Sequence, residues 1–300
     1  MQSRLKQGIL AAMGVLFATM VSAQDRPKVV AVNYPLQYIA ERLSGGAADV
    51  VFLVPRDDDP SFWRPSVADI STIQSSDLIL LNGAAFATWV DRVSLPRSRL
   101  VNTSAAVKDQ YIVTESITHS HGDGGEHSHE GLASYLWLDP MLAAAQAEAV
   151  AQALVGRDLI PQEEVENQLN ALRADLEQLD RQAETVFANM QGTKLIATHP
   201  RYQYMGRRYG LSVISLEWEA GATPDAEQLT ALRTLIDQTG AKILIWEAEP
   251  SAKALRAASE LGLQNIIFPT LVHPPEDGDF VSAYKNALSA FAEANARLSP

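Results

Sequence analysis

Four of the chain's six histidines fall within THSHGDGGEHSHE, Thr118 to Glu130. They form two His-x-His pairs, His119/His121 and His127/His129, with Asp123, Glu126 and Glu130 among or just after them. Imidazole nitrogen suits borderline divalent ions, and in an extended chain residues two apart point to the same side, so each pair can pinch one ion. The other two histidines, His199 and His273, lie in the C-terminal half. The sequence has no cysteine, no Gly-x-Ser-x-Gly elbow, no phosphate-cradling glycine loop and no His-Glu-x-x-His pair. Ion binding is therefore the chemistry on offer, and an enzyme is not expected.

A usable ion site needs elements that hold its ligands together. Short apolar runs at Lys28–Val32, Asp49–Val54, Leu78–Leu81 and Arg99–Val101 alternate with helical patterns at 35–44, 67–75 and 84–92. A second series runs Lys194–Thr198, Leu211–Leu216, Lys242–Trp246 and Asn265–Phe268, with helices near 201–209, 224–239, 251–261 and 279–297. Strands separated by helices of this length predict βαβ units, and hence α/β lobes with a four-stranded parallel sheet in each. Gly45-Gly46 follows a helix, not a strand, and reads as a helix C-cap.

From Pro140 to Met190 there is no strand signal. Val165, Leu169, Leu172, Leu176, Leu179, Ala183 and Phe187 recur at three- and four-residue steps, and Gly192 closes the run. This predicts a single helix of roughly 40 Å, a stiff connector between the two lobes. The expected division is a leader at 1–23, an N-terminal lobe at 24–158 containing the histidine-rich loop 118–130, a connecting helix at 159–191 and a C-terminal lobe at 192–300.

Ligands of open α/β sheets sit beyond the carboxyl ends of the strands. In the first half those positions are Asn33, the stretch Arg56 to Trp63, Asn82 and Asn102-Thr103; in the second they are His199, Glu217, Glu219, Glu247, Glu249 and Pro269 to His273. Both histidines outside the loop are among these positions, with several carboxylates.

The first residues read as a secretory leader: Arg4 and Lys6, an apolar run from Gly8 to Val21, and Val21-Ser22-Ala23 before Gln24. The run is too short to span a bilayer, and no cysteine follows the cleavage point for lipid attachment. A soluble periplasmic protein of about 277 residues is expected. The formal charge is −12, and loss of Arg4 and Lys6 takes it to −14. An acidic surface argues against nucleic acid and anionic membranes as partners, and is mildly favourable to a cation. Ordinary solubility explains the charge equally well.

At these residues the chain resembles the metal-specific solute-binding proteins of ABC transporters, the zinc and manganese receptors. The resemblance is carried by VVAVNYPLQYIAERLSGG near the start, DDDPSFWRPSVAD running on to DLILLNGAAFATWVDRV, WLDP at Trp137–Pro140, THPRYQYMGRRYGL at Thr198–Leu211, ATPDAEQL at Ala222–Leu229, and the end from FPTL to YKNAL. It implies two lobes joined by a rigid helix, a divalent ion as cargo, a membrane permease as partner and a monomer. It also implies four ligand positions. A histidine after the second strand is Ser61 here; one two residues before WLDP is Tyr135; one at the first helix of the second lobe is kept as His199; and an aspartate after the last strand falls at Phe268.

One of four ligands is thus retained, and zinc wants three or four nitrogen, sulfur or oxygen ligands. The available substitutes are the loop histidines His119, His121, His127 and His129, with His127 or His129 able to reach the volume of a ligand at 135; His273, beyond Phe268; and Glu247, at a strand end. Zinc is the expected ion because imidazole favours it over manganese, though manganese or another divalent ion fits the same resemblance. Plainer readings stand beside these. The loop, with Gly122, Gly124 and Gly125, can act only as a collector of weakly held ions; His199 can cap a helix; His273 can be a surface residue; and Glu247 can be a structural carboxylate. An aromatic cleft built from Phe62, Trp63, Tyr135 and Phe268 suits instead a metal chelate, a small organic solute or a protein, and a periplasmic metal buffer or chaperone is a further alternative.

Overall fold

The computed structural model describes residues 26–114, 131–218 and 220–298. The leader, the four loop histidines and Glu219 lie outside the described residues.

The N-terminal sheet consists of β1 (Lys28–Ala31), β2 (Asp49–Val51), β3 (Leu78–Leu81) and β4 (Leu100–Asn102), all parallel, in the order β2-β1-β3-β4. A two-stranded antiparallel ribbon, β5 (Val113–Thr114) and β6 (Gly131–Leu132), flanks the histidine-rich stretch. The C-terminal sheet comprises β7 (Lys194–Ala197), β8 (Ser212–Ser215), β9 (Ile243–Trp246) and β10 (Gln264–Ile267), again parallel, in the order β10-β9-β7-β8. Both sheets therefore share one connectivity. The first strand lies inside, the second on one flank, the third and fourth on the other. In each the chain reverses direction between the first and third strands, where ligands of such sheets collect. That point lies between β1 and β3 in one lobe and between β7 and β9 in the other.

The eight expected strands and most helices are present within a few residues of their expected bounds. Helix α1 (Tyr34–Ser44) starts from Asn33, whose side chain accepts from Leu36 N, and ends at Gly45 with φ 55°. Helix α2 (Val67–Ser75) carries a capping box between Ser66 and Asp69. The helix expected at 84–92 is not formed. Ala84 and Ala85 take left-handed φ of 47° and 54°, and only a 3₁₀ turn at Thr88–Arg92 comes after them. The cause lies just upstream. Gly83 has φ +80°, and a Cβ there would sit 2.2 Å from Ser104 Oγ and 2.4 Å from Asn102 Oδ1. A buried network holds this turn: Ser104 Oγ donates to the Asn82 carbonyl, and Asn82 Oδ1 accepts from Asn33 Nδ2 and Gln146 Nε2. Satisfying buried polar groups outweighs the helix propensity of the alanines.

Helix α3 (Pro140–Gly156) leads to α4 (Gln162–Phe187), the long connector. Its 26 residues span about 39 Å at 1.5 Å per residue, and a 3₁₀ turn at Ala188–Met190 extends it. Its buried stripe is Val165, Leu172, Leu176, Leu179, Ala183 and Phe187, with Leu169 partly buried against the same core. The helix is packed along its length. Arg42 of α1 pairs with Asp175 at 2.7 Å and Arg173 with Glu148 of α3 at 2.7 Å. Near its C-terminal end Phe187 meets Tyr209 at 5.2 Å and Phe291 at 5.1 Å between ring centres.

The C-terminal lobe is completed by α5 (Gln203–Tyr209), α6 (Ala226–Thr239), α7 (Ala252–Glu260) and α8 (Phe280–Leu298). One apolar core runs from the N-terminal sheet through α4 to Phe268, Tyr284 and Phe291. The loop after β10 adds polar stitches between the lobes. Trp137 Nε1 donates to the Thr270 carbonyl at 2.7 Å, Tyr34 N to that of Val272 at 3.1 Å, and Arg56 Nη2 to that of Pro274 at 3.1 Å. These contacts give the connector's stiffness a physical basis beyond its unbroken sequence.

Candidate metal centre between the lobes

Strand β7 ends at Ala197, and Thr198 N still bonds to the Ile245 carbonyl at 2.9 Å. The chain then turns over Pro200, with Arg201 N donating to the His199 carbonyl at 2.9 Å. Two buried tyrosines anchor the chain just beyond this turn. Tyr202 donates to the Phe268 carbonyl at 2.6 Å and Tyr204 to the Ala133 carbonyl at 2.9 Å. Further along, Arg208 grips Asp180 of the connector through two hydrogen bonds, and Tyr209 adds a third to the same carboxylate. The turn bearing His199 and Arg201 is thus held from below by both the sheet and α4.

Glu247 is the first residue after β9, which pairs directly with β7. It and His199 meet: His199 Nδ1 lies 3.0 Å from Glu247 Oε1. A carboxylate oxygen accepts, so Nδ1 carries the hydrogen, the pairing by which carboxylates orient metal-binding histidines. Both side chains are largely buried, 14% and 8% exposed.

A cation already belongs to this cluster. Arg201 Nη2 reaches Asp59 Oδ2 at 3.1 Å, its Nε lies 3.5 Å from Glu247 Oε2, and its guanidinium stands 4.6 Å above the Tyr135 ring. Arg201 therefore joins a carboxylate from each lobe. Burial works against its charged form, but Tyr135, Glu247 and Asp59 together outweigh burial and shift it upward. Burial likewise pushes the Tyr135 phenol far above its ordinary range, against the pull of Arg201. Asp59 is placed by its own turn, with Oδ1 accepting from Ser61 N at 2.8 Å. The Ser61 carbonyl accepts from Thr88 N and Oγ1, so the 3₁₀ turn that replaces the expected helix buttresses this loop.

The positions where the resemblance expects ligands are filled in three ways. Ser61 and Tyr135 are buried beside Arg201's partners. Phe268 is fully buried in the core against Tyr202, Tyr284 and Phe291. His199 keeps its place. His273 has Nε2 2.8 Å from the carbonyl of Asp58, the neighbour of Asp59, and its ring packs on Phe52 at 5.4 Å. His119, His121, His127 and His129 lie outside the described residues. Among the described residues no group of three or more His, Cys, Asp or Glu is arranged to hold a metal ion.

Sequence reasoning singles out His199 and Glu247 but passes over Arg201. An arginine two residues after a histidine reads as a helix-start cation, and its partner Asp59 is 142 residues away. The usable signal is charge complementarity: three aspartates past the second strand of one lobe, and an arginine past the first strand of the other.

The model of the periplasmic zinc-uptake complex component A family, ZnuA, matches residues 29–294. The chain belongs to this family. It is 28% identical over 259 residues to the high-affinity zinc uptake system protein ZnuA of Bacillus subtilis, covering 83% of this chain and 80% of that protein. It is 25% identical over 273 residues to the zinc-binding protein AdcA of Streptococcus pyogenes serotype M1, and there it spans only 52% of the relative's length. Among solved structures, the metal-dependent lipoprotein YcdH of B. subtilis superposes with a TM-score of 0.75 at 23% identity, covering 90% of this chain and 99% of that one. The Zn(II)-bound ZnuA-like domain of Streptococcus pneumoniae AdcA gives 0.74 at 18% identity, covering 90% and 98%. At these identities the structural likeness speaks for the two-lobed ZnuA fold. The family is one of periplasmic solute-binding components of metal importers, and among the described residues no helix is long and apolar enough to cross a membrane.

Proposed function

We propose that this ZnuA-family receptor captures zinc between its lobes through His199 and hands it to the membrane permease of an ABC importer. The observation that carries the reading is the His199–Glu247 pair at 3.0 Å, at the strand-end crossing of a ZnuA fold. Glu247 acts here as the group that fixes the imidazole, not as a ligand of its own. One imidazole is too few for zinc, so the remaining ligands come from His119, His121, His127 and His129. The stretch that carries them leaves and rejoins the N-terminal lobe at β5 and β6, whose neighbour Ala133 accepts from Tyr204. His273 serves as a contact on the Asp58 carbonyl. The chain works as a monomer after cleavage before Gln24, with lobes at 24–158 and 192–300, and takes no part in catalysis or nucleic-acid binding.

Zinc titration by calorimetry tests this. The mature chain should hold one ion much more tightly than the chain lacking residues 118–130, by at least roughly tenfold, about 1.4 kcal/mol. His199→Ala and the pair His127→Ala/His129→Ala should each weaken the same tight site, and the triple change should cost less than their sum. A tight site indifferent to the loop would reduce the loop to a collector. Failure of the parent to bind zinc more tightly than micromolar would favour a second reading, a cleft turned over to an organic solute or chelate. The burial of Tyr135, Ser61 and Phe268 at three expected ligand positions is what supports that alternative.

A further inference from the structure

We propose that Arg201 decides which ions the cleft accepts: it holds Asp59 and Glu247 as its own counter-ions and so denies them to hard, oxygen-seeking cations. The inference rests on the zinc-capture reading and deepens it. Arg201 is 14% exposed, bonds Asp59 at 3.1 Å, faces Glu247 at 3.5 Å, and is stacked on Tyr135 at 4.6 Å. Its Nε is buried with no hydrogen-bond partner, so the attraction to Glu247 there is one of charge and not of a short directed bond.

Take the guanidinium away, and Asp59 and Glu247 lose the cation they share, while Glu247 keeps its contact with His199. The three are not already arranged as a metal site, but their carboxylates become free to move onto one. Two carboxylates and one imidazole form a mixed oxygen and nitrogen set, which manganese accepts as readily as zinc accepts imidazole. With Arg201 in place, each carboxylate already has a cation. A manganese ion would gain little from oxygens that are engaged, and would meet a positive charge close by. Zinc, bound mainly through imidazole nitrogen, loses much less. Arginine suits the task because its charge is permanent and its planar head both stacks on an aromatic ring and bridges two carboxylates, which the ammonium of lysine does poorly. Arg201 is thus a specificity-determining residue that acts by exclusion, the repulsive half of selectivity.

Calorimetric titrations with ZnCl2 and with MnCl2, on the full mature chain and on R201Q and R201K, test this. The parent should show no manganese binding in the range where R201Q binds it at least tenfold more tightly, and R201K, which keeps the charge but not the planar bridge, should fall between the two. Zinc affinity should change less than manganese affinity in R201Q. An R201Q chain with manganese affinity equal to the parent's overturns the proposal, as does an R201K chain that behaves like R201Q. If circular dichroism shows R201Q misfolded, R201M, which retains the stem over Tyr135, carries the same comparison. Paramagnetic broadening of the Tyr135 ring signals in the parent at sub-stoichiometric manganese would overturn it without any variant. A parent that binds no zinc refutes the capture reading, while the manganese comparison still decides the role of Arg201.

Discussion

His199 donates through Nδ1 to Oε1 of Glu247 at 3.0 Å, across the mouths of two hydrogen-bonded parallel strands. The matching place in the other lobe, past β1 and β3, holds Asn33 and Asn82, joined by an amide hydrogen bond at 3.3 Å. One lobe thus closes its strand crossing with neutral amides, while the other presents an imidazole backed by a carboxylate. If Glu247 serves to hold the ring, Glu247→Gln should weaken zinc by roughly 10–100-fold, the usual cost of losing such a partner. His199→Ala should cost at least as much. Competition against a fluorescent zinc chelator reads both, and an E247Q chain with parental affinity would make the pair merely structural.

The amide crossing makes its own prediction. Gly83 combines φ +80° with three polar side-chain atoms inside 2.6 Å of where a Cβ would stand. Gly83→Ala must either break the Ser104–Asn82 contact or move the turn that supports Ser61 and Asp59. A loss of about 3 kcal/mol of stability is expected, read as a lowered midpoint in urea. A chain that melts like the parent would show the turn to be adaptable.

Much of this fold is legible in the sequence because strand runs such as Leu78–Leu81 and the stripe from Val165 to Phe187 carry their own periodicity. The segment 84–92 misleads because Ala84, Ala85 and Ala87 favour a helix locally, while the groups that overrule them, Ser104 and Gln146, are far along the chain. The site divides in the same way. His199 and Glu247 can be found as residues just past strands, a local criterion. Arg201's role depends on Asp59 and Tyr135 being brought to it by the meeting of two lobes, which no local pattern encodes.

Alkaline conditions should loosen the molecule in a defined window. Burial raises the phenol of Tyr38 to about 12, against the opposing pull of Arg42, and burial, with Asp279 nearby, raises Tyr34 to about 12. A raised folded-state value means that the unfolded chain releases its protons first, near the ordinary 10. The stabilisation is complete below pH 10 and is lost as pH rises from 10 to 12. Urea midpoints measured at pH 8, 10 and 11 should hold steady over the first interval and fall over the second. A flat profile through pH 11 would argue against these two tyrosines as the cause.

The stitches from the loop after β10 and the length of α4 both oppose wide opening. Small-angle scattering with and without zinc should give radii of gyration that agree within ~1 Å, as for partners that meet without large rearrangement. A rotation of tens of degrees between paired structures would show that Trp137–Thr270 and Tyr34–Val272 are made only in one state.

The last helix of the chain completes a core begun by the first. Phe280 stacks on Tyr38 of α1 at 5.6 Å, and Tyr284 donates to the Leu138 carbonyl just before α3. In order of synthesis, the N-terminal lobe therefore stays unfinished until α8 has emerged. The contacts that join the lobes are among the most sequence-distant in the molecule, which slows folding and prolongs exposure of apolar surface. A chain ending before Phe280 should fail to fold even its N-terminal half; a cooperative melt from that truncation would refute this.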